Sequence, residues 1–229
     1  LSKALGDWKA PDNWYQRSIE ERNKWDEYVA KESGPTNQEL PSYAHAVGAV
    51  YRNSDPSDIV VTAAGGLVGE VVQIWKPKEL NTFETEWGFS CMSYEISGAL
   101  GIKMAKPDQD VIVFVGDGSY LLQNSDIYSS VLYDKKLIIV VCDNGGHMVI
   151  NRLQLAKGGK EYLCNLNAAR ATNVQFVDFE AHAKSMGANG ETVKSISELE
   201  AAFKRAKESD KTYVISMKTD GYEWLEGTA

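Results

Sequence analysis

The chain has 229 residues, 43% hydrophobic and 24% charged, with a formal net charge of −8, which fits one large or two small globular domains. The acidic balance excludes a general nucleic-acid footprint, because phosphate backbones select basic faces. Cys91, Cys142 and Cys164 are far apart with no paired spacing, which argues against zinc or a disulfide framework and fits a reducing cytoplasm, and neither a membrane-length apolar run nor an apolar signal region is present, so no membrane partner is expected.

Residues 1–35 read as a linker remnant and a helix. The polar stretch "APDNWYQRSIEERNKWDEYVAKESGP" carries Trp14, Tyr15, Trp25 and Tyr28. Its helix is placed over Arg17–Lys31 and stopped at Gly34-Pro35. From residue 36 onward, helical and apolar stretches alternate. Ser42 caps a helix running to about Tyr51, in which His45 reads as a packing or surface residue. Asp58-Ile-Val-Val-Thr is a buried strand ending at "AAGGLVGE". "WGFSCMSYEISGALGIKMA" reads as a loop and then a helix from about Ser93. "DVIVFVG" is a strand, Ser119–Tyr133 a helix, and "KLIIVVCDN" a second apolar strand with Cys142 as a small core residue. Weak periodicity from Asn151 to Val174 predicts a loop with one short helix. "DFEAHAKSMGA" is a helix capped by Asp178 and stopped by Gly187, with His182 at its surface. "SELEAAFKRAKESD" is another, capped by Ser197 with Glu200 in the capping-box position. "TYVISMKT" is the last strand.

Strands alternating with helices imply parallel crossovers. Strands that are apolar on both faces need helices on both sides. The expected fold is therefore α/β, a three-layer α/β/α arrangement with a mainly parallel central sheet, formed by residues 36–229.

Two short polar clusters interrupt this pattern, Gly116-Asp117-Gly118-Ser119 and Asp143-Asn144-Gly145-Gly146. Each follows an apolar strand. A helix of ~15 residues at ~1.5 Å per residue returns the chain by roughly the length of the next strand. Both clusters then reach the carboxyl edge of the sheet, where open α/β sheets bind ligands. Gly116 and Gly118 allow a tight turn and close approach to a phosphate. Helix N–H groups at that edge offer an anion site. Asp117 is a hard oxygen ligand of the kind Mg²⁺ uses, Asn144 offers a neutral oxygen, and the Gly146 carbonyl offers another. Each turn alone is explained by strand closure. The pair, with Asp117 and Asn144 27 positions apart, is the specific signal.

These motifs resemble the thiamine diphosphate enzymes, whose Gly-Asp-Gly motif closes on an Asn after a gap of this length. The resemblance implies the thiamine diphosphate-binding fold, with thiamine diphosphate and Mg²⁺ as cofactors. It implies Asp117, Asn144 and Gly146 as metal ligands, and Gly118 and Ser119 on diphosphate oxygens. "WGFSCMSYEISGALG" resembles the preceding segment of the acetolactate synthase-like branch, with Met92 as the apolar residue under the cofactor and Ser90 near its aminopyrimidine. Gly65 and Gly66 are expected at the diphosphate, and His147 and Asn151 at cofactor or substrate. Glu95 is expected to cap or bridge near Met92 without a chemical role.

"EWGFSCMSYEISGALGIKMA", "VGDGSYLLQNSDIYSSV" and "INRLQ" are similar to the trihydroxycyclohexanedione hydrolase family of inositol breakdown, from about Leu40 to Thr219. The chain departs from it at His147 and Met148, where the family shows an aromatic residue and then Gly. Ile150 stands where simple decarboxylases of the superfamily carry a glutamate. The resemblance implies C–C bond hydrolysis that opens a cyclic 1,2-diketone. It also implies that the glutamate activating the cofactor lies on a pyrimidine-binding domain, in the same full-length chain or a second subunit, so no catalytic residue is assigned here. A homodimer or homotetramer is expected when complete. The rival readings are an acetolactate synthase-like carboligase or decarboxylase domain, the diphosphate-domain subunit of a split enzyme, and a non-catalytic assembly module.

Overall fold

The computed structural model describes residues 2–170 and 176–227. Its elements, in chain order, begin with α1 (Ser2–Leu5), α2 (Asp12–Glu32), α3 (Tyr43–Asn53), β1 (Ile59–Thr62), α4 (Gly65–Ile74), β2 (Phe83–Thr85), α5 (Tyr94–Ala105) and β3 (Val111–Gly116). They continue with α6 (Asp117–Leu122), α7 (Ser125–Leu132), β4 (Ile138–Asp143), α8 (Met148–Ala156), α9 (Phe179–Ser185), β5 (Asn189–Val193), α10 (Ile196–Glu208) and β6 (Tyr213–Lys218). The strands form one sheet in the order β2-β1-β3-β4-β6-β5, every pairing parallel.

The expected three layers are present. Alternate strand residues feed two separate cores. Val60, Ile112, Phe114, Ile138, Val140 and Cys142 face α3, α4 and α10. Val61, Val113, Val115, Ile139 and Val141 face α5, α7 and α9. Both sets are solvent-excluded, which is why these strands read as continuous apolar runs. Each such side chain contributes roughly 1.5–3 kcal/mol by burial.

Several boundaries differ from expectation. The single helix placed over Ser119–Tyr133 is two, α6 and α7, broken at Gln123 and Asn124. The cap of α10 is Ser195, whose hydroxyl accepts from the Glu198 N–H at 3.2 Å. Ser197 and Glu200 lie inside that helix. The stretch from Asn151 contains most of α8 and a short 3₁₀ turn at Leu166–Ala168, and its last part, from 171, lies outside the described residues. The edge strands β2 and β5 have no strong apolar signature. His45 is buried, its ring closing a capping box with Ser42. His182 is bonded through Nδ1 to the Tyr120 hydroxyl at 2.9 Å. Helix α2 begins at Asp12, earlier than expected, and buries only Val29.

At the amino edge of the sheet, Lys207 of α10 meets Asp58 at 2.6 Å, Asp55 at 2.8 Å and Asp110 at 3.2 Å. Lys136 also pairs with Asp110 at 2.9 Å. This cluster ties α10 to the starts of β1, β3 and β4, opposite the edge that carries the polar motifs.

Candidate cofactor and metal site

Strands β3 and β4 are neighbours, with Gly116 paired to Cys142. Asp117 and Asn144 therefore leave the same carboxyl edge side by side. Helix α4 packs on one face after β1, whereas α5 and α7 pack on the other. Chain order reverses between β1 and β3, so the crevice between their carboxyl ends is a topological switch point.

Asp117 is nearly buried, at 6% exposure. Burial first, and then the neighbouring Asp143, push its carboxyl up to about 7, while the N–H groups of Gly118, Asp117 itself and Gly146 pull the other way. The Gly146 amide thus joins the two polar clusters directly. A buried carboxyl in such surroundings is suited to a cation. Asn144 donates through Nδ2 to the Tyr43 hydroxyl at 2.6 Å, and its buried Oδ1 has no hydrogen-bond partner. Asp143 accepts from the Gly145 N–H at 3.0 Å and pairs with Lys218.

Gly146 has φ of 145°, and a Cβ there would stand 2.2 Å from the Cys164 carbonyl oxygen. Only glycine lets the backbone pass so close. The adjoining His147 N–H donates to that carbonyl at 2.7 Å, and the Leu166 N–H donates to the Gly145 carbonyl at 2.8 Å. Gly118 is confined by side chains rather than by backbone. A Cβ there would lie 2.8 Å from His147 Cε1 and 3.6 Å from Met92 Cε, so the exposed His147 ring and Met92 flank this glycine.

Two serines with positive φ, Ser90 at 51° and Ser93 at 80°, bracket Met92. Strained backbone of this kind persists only where the surroundings enforce it. The Glu86 carboxylate does so on one side, accepting from the Phe89 and Cys91 N–H groups at 2.8 and 2.7 Å. On the other, the Ser93 N–H donates to Ser119 Oγ at 2.6 Å, and that hydroxyl donates to Glu95 Oε2 at 2.9 Å. Glu95 Oε1 accepts from the Ala64 N–H at 3.1 Å. Fully buried Glu95 therefore ties together the loops after β1, before α5 and after β3. Burial raises its carboxyl above the ordinary glutamate value, against the bonds it accepts.

A cavity of about 320 Å³ opens among these groups, within the usual range for small-ligand sites. It brings together Gly65, Ser90, Met92, Gly116, Asp117, Gly118, Ser119, Asn144, Gly146 and His147, and Ile150 also lines it. Two expected residues stand elsewhere. Gly66 lines an adjoining cavity of about 530 Å³, and a Cβ on it would strike the Trp224 ring at 1.9 Å. Asn151 lines a third, of about 420 Å³, behind α8; its Nδ2 donates to Glu161 at 2.7 Å. The Ser119 hydroxyl is committed to Glu95, so only its backbone faces the expected anion. Tyr43 and Glu95 are the residues that sequence reasoning missed or undervalued. Neither sits in a local motif, although an acid at the start of an otherwise apolar helix was a signal.

Among the described residues no group of three or more His, Cys, Asp or Glu side chains could hold a metal. A cation here depends on a mixed set: one carboxylate, one unpartnered amide oxygen and a backbone carbonyl. All are hard oxygen donors, the chemistry that Mg²⁺ takes.

Residues 63–217 match the family model described as thiamine pyrophosphate enzyme, C-terminal TPP binding domain. The chain is 36% identical over 212 residues to a 3D-(3,5/4)-trihydroxycyclohexane-1,2-dione hydrolase of Shouchella clausii (strain KSM-K16), covering 85% of this chain and 33% of the relative. It is 35% identical over 201 residues to the protein of the same name from Bacillus subtilis (strain 168), covering 84% and 31%. The chain thus spans about a third of the length of the curated relatives it matches. The solved thiamine diphosphate-dependent 4-hydroxybenzoylformate decarboxylase of Rhodococcus jostii RHA1 superposes with a TM-score of 0.71 at 18% identity, covering 84% of this chain and 34% of that one. That likeness establishes a shared fold. With two thirds of its length matched by the family model, the chain belongs to the thiamine pyrophosphate enzymes, as their C-terminal cofactor-binding domain.

Proposed function

We propose that this chain holds Mg²⁺ and thiamine diphosphate for an enzyme that hydrolyses a C–C bond and opens a cyclic 1,2-diketone of the trihydroxycyclohexanedione class, in the cytoplasmic breakdown of inositol. The observation that carries the metal reading is the meeting of the Asp117 carboxyl, the unpartnered Asn144 Oδ1 and Gly146 beside one cavity. The substrate class rests on the names of the curated relatives.

Thiamine diphosphate supplies, when bound, the nucleophilic carbon and the electron sink that C–C cleavage needs. The side chains of Asp117 and Asn144 and the Gly146 carbonyl hold the metal. The backbone at Gly116, Gly118 and Ser119 lies against the diphosphate, with Gly65 across the crevice. Met92, which lines the cavity and is held by the strained turn at Ser90 and Ser93, would support the cofactor's rings. His147 stands over Gly118, where it contacts cofactor or substrate. Ile150 puts an apolar wall where simple decarboxylases of the superfamily carry an acid. The glutamate that activates the cofactor comes from a pyrimidine-binding domain, in the same polypeptide or a second subunit, within a homodimer or homotetramer.

The test is calorimetric titration of Mg²⁺ and thiamine diphosphate into the chain, followed by assay with a supplied pyrimidine-binding domain. Weak binding that Asp117→Ala abolishes is expected, and a ring-opened acid only when both parts are present. Equal binding by Asp117→Ala would overturn the metal assignment, and an acetolactate-type product would overturn the hydrolytic one.

A further inference from the structure

A carboxamide presents two ends of almost equal size, one a donor and one an acceptor. Only the acceptor end can ligate a cation, so something must decide which way Asn144 points. Its Nδ2 lies 2.6 Å from the Tyr43 hydroxyl oxygen. That contact turns Oδ1 to the other side of the amide, where it is buried and without a partner.

Tyr43 does not owe its own position to this bond. It is 3% exposed and opens α3, whose cap Ser42 is fixed by His45. Its ring stands edge-on to Trp224, with centroids 5.6 Å apart and planes at 87°. Its hydroxyl is also 4.0 Å from where a Cβ of Gly116 would lie, so the phenol reaches the turn that delivers Asp117.

We infer that Tyr43 is a positioning residue for the metal site: its hydroxyl takes the Asn144 amide hydrogen and so presents Oδ1 to the cation. The inference rests on the metal reading above and assigns a role to a residue 101 positions from the one it orients. Without the hydroxyl, the amide is free to turn its NH₂ toward the cation, where it repels rather than binds. Loss of a partner that orients a ligand typically lowers metal affinity 10–100-fold.

The experiment measures Mn²⁺ binding by electron paramagnetic resonance in the presence of thiamine diphosphate. The chains compared are the parent, Tyr43→Phe, Asn144→Asp, the double variant and Asp117→Ala. Tyr43→Phe is expected to weaken Mn²⁺ binding by roughly tenfold or more, while the metal-free chain still folds and melts in one cooperative transition. In the Asn144→Asp background the two carboxylate oxygens are equivalent, so Tyr43→Phe is expected to cause no further loss. Equal Mn²⁺ affinity for Tyr43→Phe and parent, with Asp117→Ala not binding, overturns the inference alone. An equal loss in both backgrounds makes the effect structural and also overturns it. A parent chain that takes up no Mn²⁺ overturns the metal reading and this inference together.

Discussion

Glu95 sets two opposing effects against each other, and a pair of substitutions decides between them. Its side chain is wholly buried and accepts from Ala64 N–H at 3.1 Å and Ser119 Oγ–H at 2.9 Å. Glu95→Ala strands both donors, each costing about 1–3 kcal/mol when buried unsatisfied. The raised carboxyl shows that the anion is less well solvated here than in water, so its removal offsets part of that loss. A net cost of ~2–4 kcal/mol lowers the melting temperature by roughly 4–16 °C in a domain of this size. Glu95→Gln keeps an acceptor for the Ala64 N–H, but its NH₂ then faces Ser119 Oγ and the Ser119 O–H loses its acceptor, so its cost is expected at about 1–2 kcal/mol, below that of Glu95→Ala. The sign with pH follows from linkage. An acid whose folded pKa is raised binds its proton more tightly in the folded chain. Its contribution is most favourable below the ordinary value of 4.5 and declines as pH rises through the folded value. Glu95→Gln has no such decline and so gains on the parent as pH rises. Thermal unfolding of the metal-free chain, followed by circular dichroism across that range, measures both effects. A Glu95→Ala chain at least as stable as the parent would show that desolvation outweighs the hydrogen bonds, and the account of Glu95 as the tie among three loops would fail.

Two further outcomes test the frame and the cradle. Lys207→Met leaves buried Asp58 without its cation, whereas Asp110 keeps Lys136 and Asp55 faces solvent, and is expected to cost about 1–3 kcal/mol in denaturant unfolding; the Lys207 pKa is pushed up to about 12, so the parent's advantage is present below 10.5 and lost as pH rises through about 12. Gly118→Ala places a methyl 2.8 Å from His147 Cε1 and 3.6 Å from Met92 Cε. His147 is exposed and can swing away, so stability is expected to change by less than ~1 kcal/mol. The methyl fills the cradle, and thiamine diphosphate affinity is expected to fall at least about tenfold, a 1.4 kcal/mol effect, in the same calorimetric titration.

What the sequence made legible was local. Asp117 and Asn144 announce themselves because a glycine-flanked polar residue ends each of two continuous apolar runs, and parallel neighbours must end at one edge. Met92 was legible as part of a contiguous segment. Other features lacked such signals. The break between α6 and α7 falls at Gln123-Asn124, with neither Gly nor Pro to mark it. The edge strands β2 and β5 are short and half polar, since an edge needs less burial. Ser195 and Ser197 are both good caps, and the choice between them depends on where β5 ends. Ser119 looked free for a phosphate because its partner Glu95 lies 24 residues earlier. Tyr43 carries no motif at all. Polar residues in turns are read from their neighbours in sequence; the groups that contact them arrive from other elements and are read only from the fold.

The charges around the cradle add a constraint to the proposed reading. Asp117, Asp143 and Glu95 are all buried at one sheet edge, and Lys218 pairs with Asp143 alone among them. A diphosphate brought to this edge therefore approaches three buried carboxyls. Helix α6 is only six residues long, too short for its dipole to offset them. Backbone N–H groups give direction, but three of them, at Gly118, Asp117 and Gly146, are already turned on the Asp117 carboxyl. A divalent cation, as proposed, would resolve this conflict. It would give Asn144 Oδ1 a partner and Asp117 a counter-charge, and so turn a repulsive edge into an attractive one. Under this reading the metal is the condition on which this acidic domain accepts an anionic cofactor, so diphosphate and cation bind as one unit.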